Sequence, residues 1–124
     1  MSHAAVAAHH YGDDGETVKA VVRDPKTAPI SAKMKALLAI AALVQKGGRF
    51  VQESDIVKAR REGASDKEIH DIVLIAAVFC MLNRYVDGLG AWTPTDPSAY
   101  VDRARAVAEL GYVASSVPQP SSTK

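Results

Sequence analysis

The sequence predicts an all-α fold, with five to six helices and one long central helix, and three observations predict it. Aliphatic residues and alanine dominate an apolar content of 48% while aromatics reach only 6%, which favours helix packing over a sandwich or barrel. Apolar residues recur at helical spacing in several segments. Those segments are bounded by capping residues, glycines and prolines, and no stretch alternates convincingly as a strand. At 124 residues the chain suits one core, so a single helical domain is expected over 1–112, followed by a flexible tail over 113–124, where VPQPSSTK is polar and proline-bearing.

Taken in order, Ala4 to His10 is rich in the best helix former and is expected to make two helical turns. GDDG at Gly12–Gly15 is a turn signal. Glu16 to Val22 is expected to form a short helix before RDPKTAP, where Pro25 and Pro29 require extended or turn backbone. Ser31 is a good N-cap, and Met34, Leu37, Leu38, Ala41 and Val44 follow at helical spacing until Gly47 and Gly48. Glu53 to Glu62 is a shorter helix with Ile56, Val57 and Ala59 inward, ended by Gly63. Ser65 and Glu68 then stand in the relation of a capping box and open a long helix reaching about Leu89. Between Ile72 and Leu82 that helix is apolar nearly all round, the pattern of a rod surrounded by other elements. Asp96 and Pro97 are expected to start the last helix, with Tyr100, Ala104, Val107 and Ala108 inward and Gly111 at its end. No repeat of roughly 20 to 50 residues is present.

Charge excludes several classes of function. Fifteen Lys and Arg stand against fourteen Asp and Glu, a formal net charge of +1, so no single-sign field exists to concentrate nucleic acid or an anionic membrane. The basic cluster KARRE at Lys58–Glu62 reads as a solvated helix face. One cysteine, Cys80, forbids an intramolecular disulfide, so a reducing, cytoplasmic setting is expected. The N-terminus lacks the basic leader and greasy core of a signal peptide. The longest unbroken apolar run, Ile72–Leu82, is eleven residues and by itself too short to span a bilayer.

The run GASDKEIHDIVLIAAVFCMLNRYVDGLG, Gly63–Gly90, together with PISAKMKALLAIAALVQKGG upstream, resembles the carboxymuconolactone decarboxylase and alkylhydroperoxidase D-like superfamily, in particular its peroxidase-related branch. The resemblance extends over roughly Ala4 to Tyr112, and NRYVDGLG is its most specific part. It implies an alkylhydroperoxidase D-like helical fold and protomers associating through helices. Redox-active members use C-x-x-C-x-x-x-H, in which one thiolate attacks a hydroperoxide or disulfide, a second resolves it, and the histidine relays protons with a nearby glutamate. The cycle needs both sulfurs, because the first oxidation product must be captured by an adjacent thiol.

This chain departs from that pattern. In the branch it most resembles, the motif lies just upstream of a stretch like AAVAAHHYGDD, which would put His3 near the motif histidine and both cysteines before Met1. In the frame of shorter members the cysteine positions fall at Gly48 and Val51 and the histidine at Asp55. Either way the chain lacks its own redox dithiol, and a companion chain carrying a C-x-x-C motif is an expected partner beside a homo-oligomer.

The candidate catalytic residues are therefore His3, His70 and Cys80. Cys80, between Phe79 and Met81, reads as a small core hydrophobe, and a catalytic role would require a thiol from elsewhere. His70 beside Asp71 reads either as a half-exposed histidine at a helix start or as a general base. His3 would be the remnant of the proton relay. The candidate substrate-binding residues are Asn83, Arg84 and Asp87, which can gather on one side of the helix because their spacings are i, i+3 and i, i+4. They read as a local ion pair with Asn83 capping a neighbour or joining a subunit contact, or as an anion site in which Arg84 grips a carboxylate or peroxide oxygen. His9 and His10 are adjacent and expected to diverge, and no HExxH or CxxC spacing exists, so neither a metal nor a cofactor is called for. Glu53 and Asp55 favour the N-terminal dipole of their helix, and Tyr85 and Trp92 read as packing or interface aromatics.

Three functions compete. One is an antioxidant, thiol-linked oxidoreductase relative completed by a partner chain. The second is a cysteine-independent lactone decarboxylase-type acid–base enzyme using His70 or His3 as base and Arg84 for a substrate carboxylate. The third is a non-catalytic helical oligomer.

Overall fold

The computed structural model describes residues 2–96 and 98–111. Every regular element among them is helical: α1 (Ser2–Tyr11), α2 (Glu16–Arg23), α3 (Ala32–Lys46), a 3-10 turn (Gly48–Phe50), α4 (Glu53–Arg61), α5 (Asp66–Gly88) and α6 (Ala99–Leu110). The fold is all-α with one long helix, as the sequence predicts. Within the span expected as one domain, two compact units separate. Among the described residues, one joins the N-terminal residues through Arg23 to those from Thr93 to Gly111, and the other is Asp24–Trp92. The tail expected over 113–124 lies outside the described residues.

Local signals set the helix ends. The Ser31 hydroxyl accepts the Met34 backbone N–H at 3.1 Å, and the Gly47 N–H returns to the Leu43 carbonyl at 3.0 Å as α3 stops. The predicted capping box of α5 is present in both directions. The Glu68 N–H donates to the Ser65 hydroxyl at 3.1 Å, and the Ser65 N–H donates to the Glu68 carboxylate at 2.8 Å, which satisfies two N–H groups that a helix start leaves open. At α4, Asp55 does similar work by accepting the Gln52 N–H at 2.9 Å. The last helix starts later than its sequence suggests. It begins at Ala99, and the Asp96 carboxylate accepts the Ser98 N–H at 2.9 Å, while Pro97 lies outside the described residues. The 3-10 turn after Gly48 had no signal beyond its glycines.

In the Asp24–Trp92 unit, α3 packs on α4 and α5. Ala36, Leu37, Ile40 and Val44 of α3 meet Ala59, Ala64 and Ile69, with Val51, Ile56, Ile72, Val73 and Ala76 packed around them. The buried stripe of α3 is rotated from the predicted one. Leu37 and Val44 are buried, but Ala36 and Ile40 complete the stripe and Met34 is 43% exposed. Small residues let the helices approach: Ala59 has no exposed surface, and neither has Ile40.

The expectation of a surrounded central rod does not hold for α5. Only Ile69 of its 23 residues is buried, and Leu74, Ile75, Val78, Met81, Leu82, Tyr85 and Val86 are all exposed. At about 1.5 Å per residue the helix is about 34 Å long. Its neighbours α3 and α4 cover one face of its N-terminal part. An all-round apolar pattern says nothing about which azimuth is covered, so the sequence could not distinguish a rod inside one chain from one with an open face. By length and composition α5 would also suffice to cross a membrane, although its unbroken apolar run alone is too short.

In the other unit α1 packs on α2 and α6. Asp13 organises the turn before α2, accepting the Thr17 hydroxyl at 2.6 Å and its N–H at 3.0 Å. Gly15 is needed here because its φ is +74° and a Cβ would lie 2.7 Å from the Cβ of Ala8. Ala104 and Val107 of α6 are buried, as the predicted stripe requires. The Tyr100 hydroxyl donates to the Pro94 carbonyl at 2.8 Å.

Candidate functional site

On a helix that advances about 100° per residue, α5 has two chemically distinct sides beyond Ala76. Cys80, Asn83, Arg84 and Asp87 continue the azimuth by which Ile69, Val73 and Ala76 pack inward, but they extend past the core and only Cys80 keeps substantial cover. The opposite side carries Ile75, Val78, Leu82, Tyr85 and Leu89. The polar cluster therefore occupies the place where the packed face of α5 runs out.

That geometry leaves the polar cluster outside the core of the chain. Asn83, Arg84 and Asp87 are exposed in the chain. Among the described residues no ion pair joins Arg84 to Asp87. Instead an Arg84 Nη1 donates to the Cys80 carbonyl at 3.3 Å, one turn back on its own helix. A single long hydrogen bond leaves most of the guanidinium's five donors available.

Cys80 is a free thiol and only half-buried, not the sealed core filler its neighbours suggest. It lines a groove of about 500 Å³ with Val73, Ala77, Met81 and Arg84 of α5, Val44 of α3, and Gly47, Gly48 and Val51 around the 3-10 turn. Gly48 and Val51 are the positions at which the short-member frame would place its two cysteines. The structure thus brings Cys80 and Arg84 together with Gly48 and Val51. Nothing lies within 4 Å of a Cβ built at Gly48. No signal in the sequence connects position 48 to position 80; only the packing of α3 and its following turn on α5 does.

The histidines do not join this groove. His70 is exposed, with Nδ1 3.7 Å from an Asp71 carboxylate oxygen, and it lies ten residues before Cys80, about 15 Å along the helix axis. Asp71 itself is bonded to Lys67, which holds its carboxyl below the usual range. His3 is exposed on α1, in the other unit. The rings of His9 and His10 stand edge to face with their centroids 6.0 Å apart. Asp55, where the short-member frame would place its histidine, accepts the Gln52 N–H. Tyr85 and Trp92 are 64% and 69% exposed.

Across α3 and α5, Lys33 Nζ lies 2.7 Å from Glu68 Oε1. With the Ser65 N–H on the same carboxylate, this pulls the Glu68 pKa from 4.5 to about 2, the Lys33 hydrogen bond being the largest cause. The pair lies at the opposite end of α5 from Arg84, so its role is to tie the two helices rather than to face the groove.

Comparison with known proteins agrees with the resemblance drawn from NRYVDGLG and its upstream partner. No curated protein and no solved structure matches the chain. Residues 15–94 match the carboxymuconolactone decarboxylase family, a span that contains α2 through α5 and the whole Cys80–Arg84 groove. The chain belongs to the carboxymuconolactone decarboxylase family.

Proposed function

We propose that this protein is an antioxidant, peroxidase-related oxidoreductase of the cytoplasm that works through Cys80 and takes its second thiol from a partner chain. The observation that carries this reading is the shared groove of Cys80, Arg84, Gly48 and Val51. The deprotonated sulfur of Cys80 attacks the distal oxygen of a hydroperoxide; the O–O bond breaks, the alkoxide takes a proton to leave as the alcohol, and a cysteine sulfenic acid remains. Arg84 supports this step by donating to the peroxide oxygens. A partner thiol then condenses with the sulfenic acid, releasing water and giving a mixed disulfide. A second partner thiol attacks the partner's sulfur in that disulfide and frees Cys80.

The exposed side of α5 supports association with a second copy of this chain. Ile75, Val78, Leu82, Tyr85 and Leu89 repeat at alternating steps of three and four, the spacing of a coiled-coil seam. Such a row needs a partner of the same period, and another α5 has it. Cys80 sits roughly 170° around the helix from that row, so pairing along it leaves the groove open and does not join two Cys80 thiols.

The test is to treat the pure chain with a slight excess of an organic hydroperoxide, trap sulfenic acid with a cyclic diketone, and locate the label by mass spectrometry. Labelling of Cys80 that builds up in the chain alone, slows with Arg84→Ala and is discharged by a C-x-x-C peptide is the expected result. A folded chain that leaves Cys80 unlabelled sinks the reading in favour of a non-catalytic helical oligomer. The decarboxylase alternative with His70 as base has weaker geometric support, since His70 lies fourteen residues from Arg84, about 21 Å along one helix.

A further inference from the structure

The N-terminal unit holds a larger groove that the thiol chemistry does not use. Formed by α1, α2 and α6, it has a volume of about 750 Å³, within the range of about 300–1,000 Å³ typical of small-molecule sites. Its floor is aliphatic, with Ala4 and Ala8 from α1, Val18 from α2 and the buried Ala104 from α6, while Val22, 63% exposed, stands at its edge. Its rim is cationic. Lys19 and Arg23, one turn apart on α2, and Arg105 on α6 line it against one carboxylate, Asp14. Lys19 is bonded to Glu16 at 2.7 Å, but among the described side chains neither Arg23 nor Arg105 has a carboxylate partner.

We propose that this groove binds an elongated amphipathic carboxylate of the fatty-acid type. The aliphatic floor takes the chain, whose transfer from water is favourable in proportion to the apolar area covered. Arg23 and Arg105 take the carboxylate, whose two oxygens match the guanidinium fork. A free inorganic anion would use only the rim and a neutral alcohol only the floor. The pairing of the two features in one groove therefore selects a ligand that has both a head and a tail.

The experiment uses the full chain titrated with dodecanoate below its micellar range, beside dodecanol and inorganic phosphate, followed by calorimetry and by amide chemical shifts. One dodecanoate per chain is expected, with shifts in α1, α2 and α6 and at least tenfold weaker binding of the other two compounds. The double variant Arg23→Gln/Arg105→Gln should lose at least tenfold in dodecanoate affinity. Val101→Trp should block the groove; Val101 is 54% exposed, so the helix tolerates the larger side chain, and circular dichroism verifies that helicity is kept. Shifts confined to the apolar side of α5, equal binding of dodecanol or phosphate, or unchanged affinity in both variants would overturn the assignment.

Discussion

Lys33 of α3 and Glu68 of α5 meet at 2.7 Å, and this contact joins a helix-capping carboxylate to a neighbouring helix. Glu68 thus serves two levels of structure, accepting from the Ser65 backbone as well. Its folded pKa is depressed from 4.5 to about 2, so its contribution to stability is complete above pH 4.5 and is lost as pH falls from there toward 2. Glu68→Gln should flatten the fall of the urea midpoint over that interval. A residual slope should remain, because Asp13, Asp24, Asp71 and Asp96 are also depressed by their hydrogen bonds. An unchanged slope would remove Glu68 from the acid response.

Ile40 has no exposed surface and stands at the centre of the α3–α4–α5 cluster. Ile40→Ala should destabilise the Asp24–Trp92 unit by about 2–5 kcal/mol through lost burial and a cavity. Met34→Ala, on an exposed face of the same helix, should cost well under half as much. Chemical denaturation of both variants checks the ranking.

The apolar row on α5 predicts an oligomer that one charge disrupts. Leu82→Glu should convert the assembly to monomer in light scattering without loss of helicity, whereas Asn83→Ala, on the other side of the helix, should leave the mass unchanged. A Leu82→Glu protein of unaltered mass would place the subunit contact elsewhere. Sedimentation with phospholipid vesicles gives a second outcome, since retention of the wild type on vesicles would assign the row to lipid.

If the groove beside Cys80 is the seat of thiol chemistry, it should accept a dithiol. Gly48→Cys with Val51→Cys installs C-x-x-C in the frame that the resemblance to short members would assign to it, with room at position 48 for a side chain. Peroxide turnover driven by a monothiol reductant should rise at least tenfold over wild type. No gain, in a variant shown to be folded, would mean that the groove cannot organise the cycle.

Gly15 tests the packing of the N-terminal unit. Gly15→Ala adds a Cβ at φ +74° and 2.7 Å from the Cβ of Ala8, and should cost about 1–3 kcal/mol with faster amide exchange in α1. Gly12→Ala, at φ +77° with nothing within 4 Å, should cost only the conformational part, about 1–2 kcal/mol.

Much of the candidate site was legible one residue at a time and little of it as a constellation. Cys80, Asn83, Arg84 and Asp87 stood out because polar groups broke an apolar run. The role of Gly48 and Val51 as neighbours of Cys80 was not legible, since more than twenty-five residues, including the whole of α4, separate them. His70 stood out equally by type, yet the rise of the helix takes it out of reach of the groove.

The chain's own letters determined most of its helix boundaries, though not the start of α6, and which family it joins. Ser31, the Ser65–Glu68 box, Gly47 and Gly111 act within one turn, and such short-range hydrogen bonds need no tertiary context. Only the tertiary structure decided which side of α5 is covered, because a helix that is apolar all round has no preferred azimuth until α3 and α4 are laid against it. That choice sets Cys80 and Arg84 in a groove and leaves Leu82 and Tyr85 open.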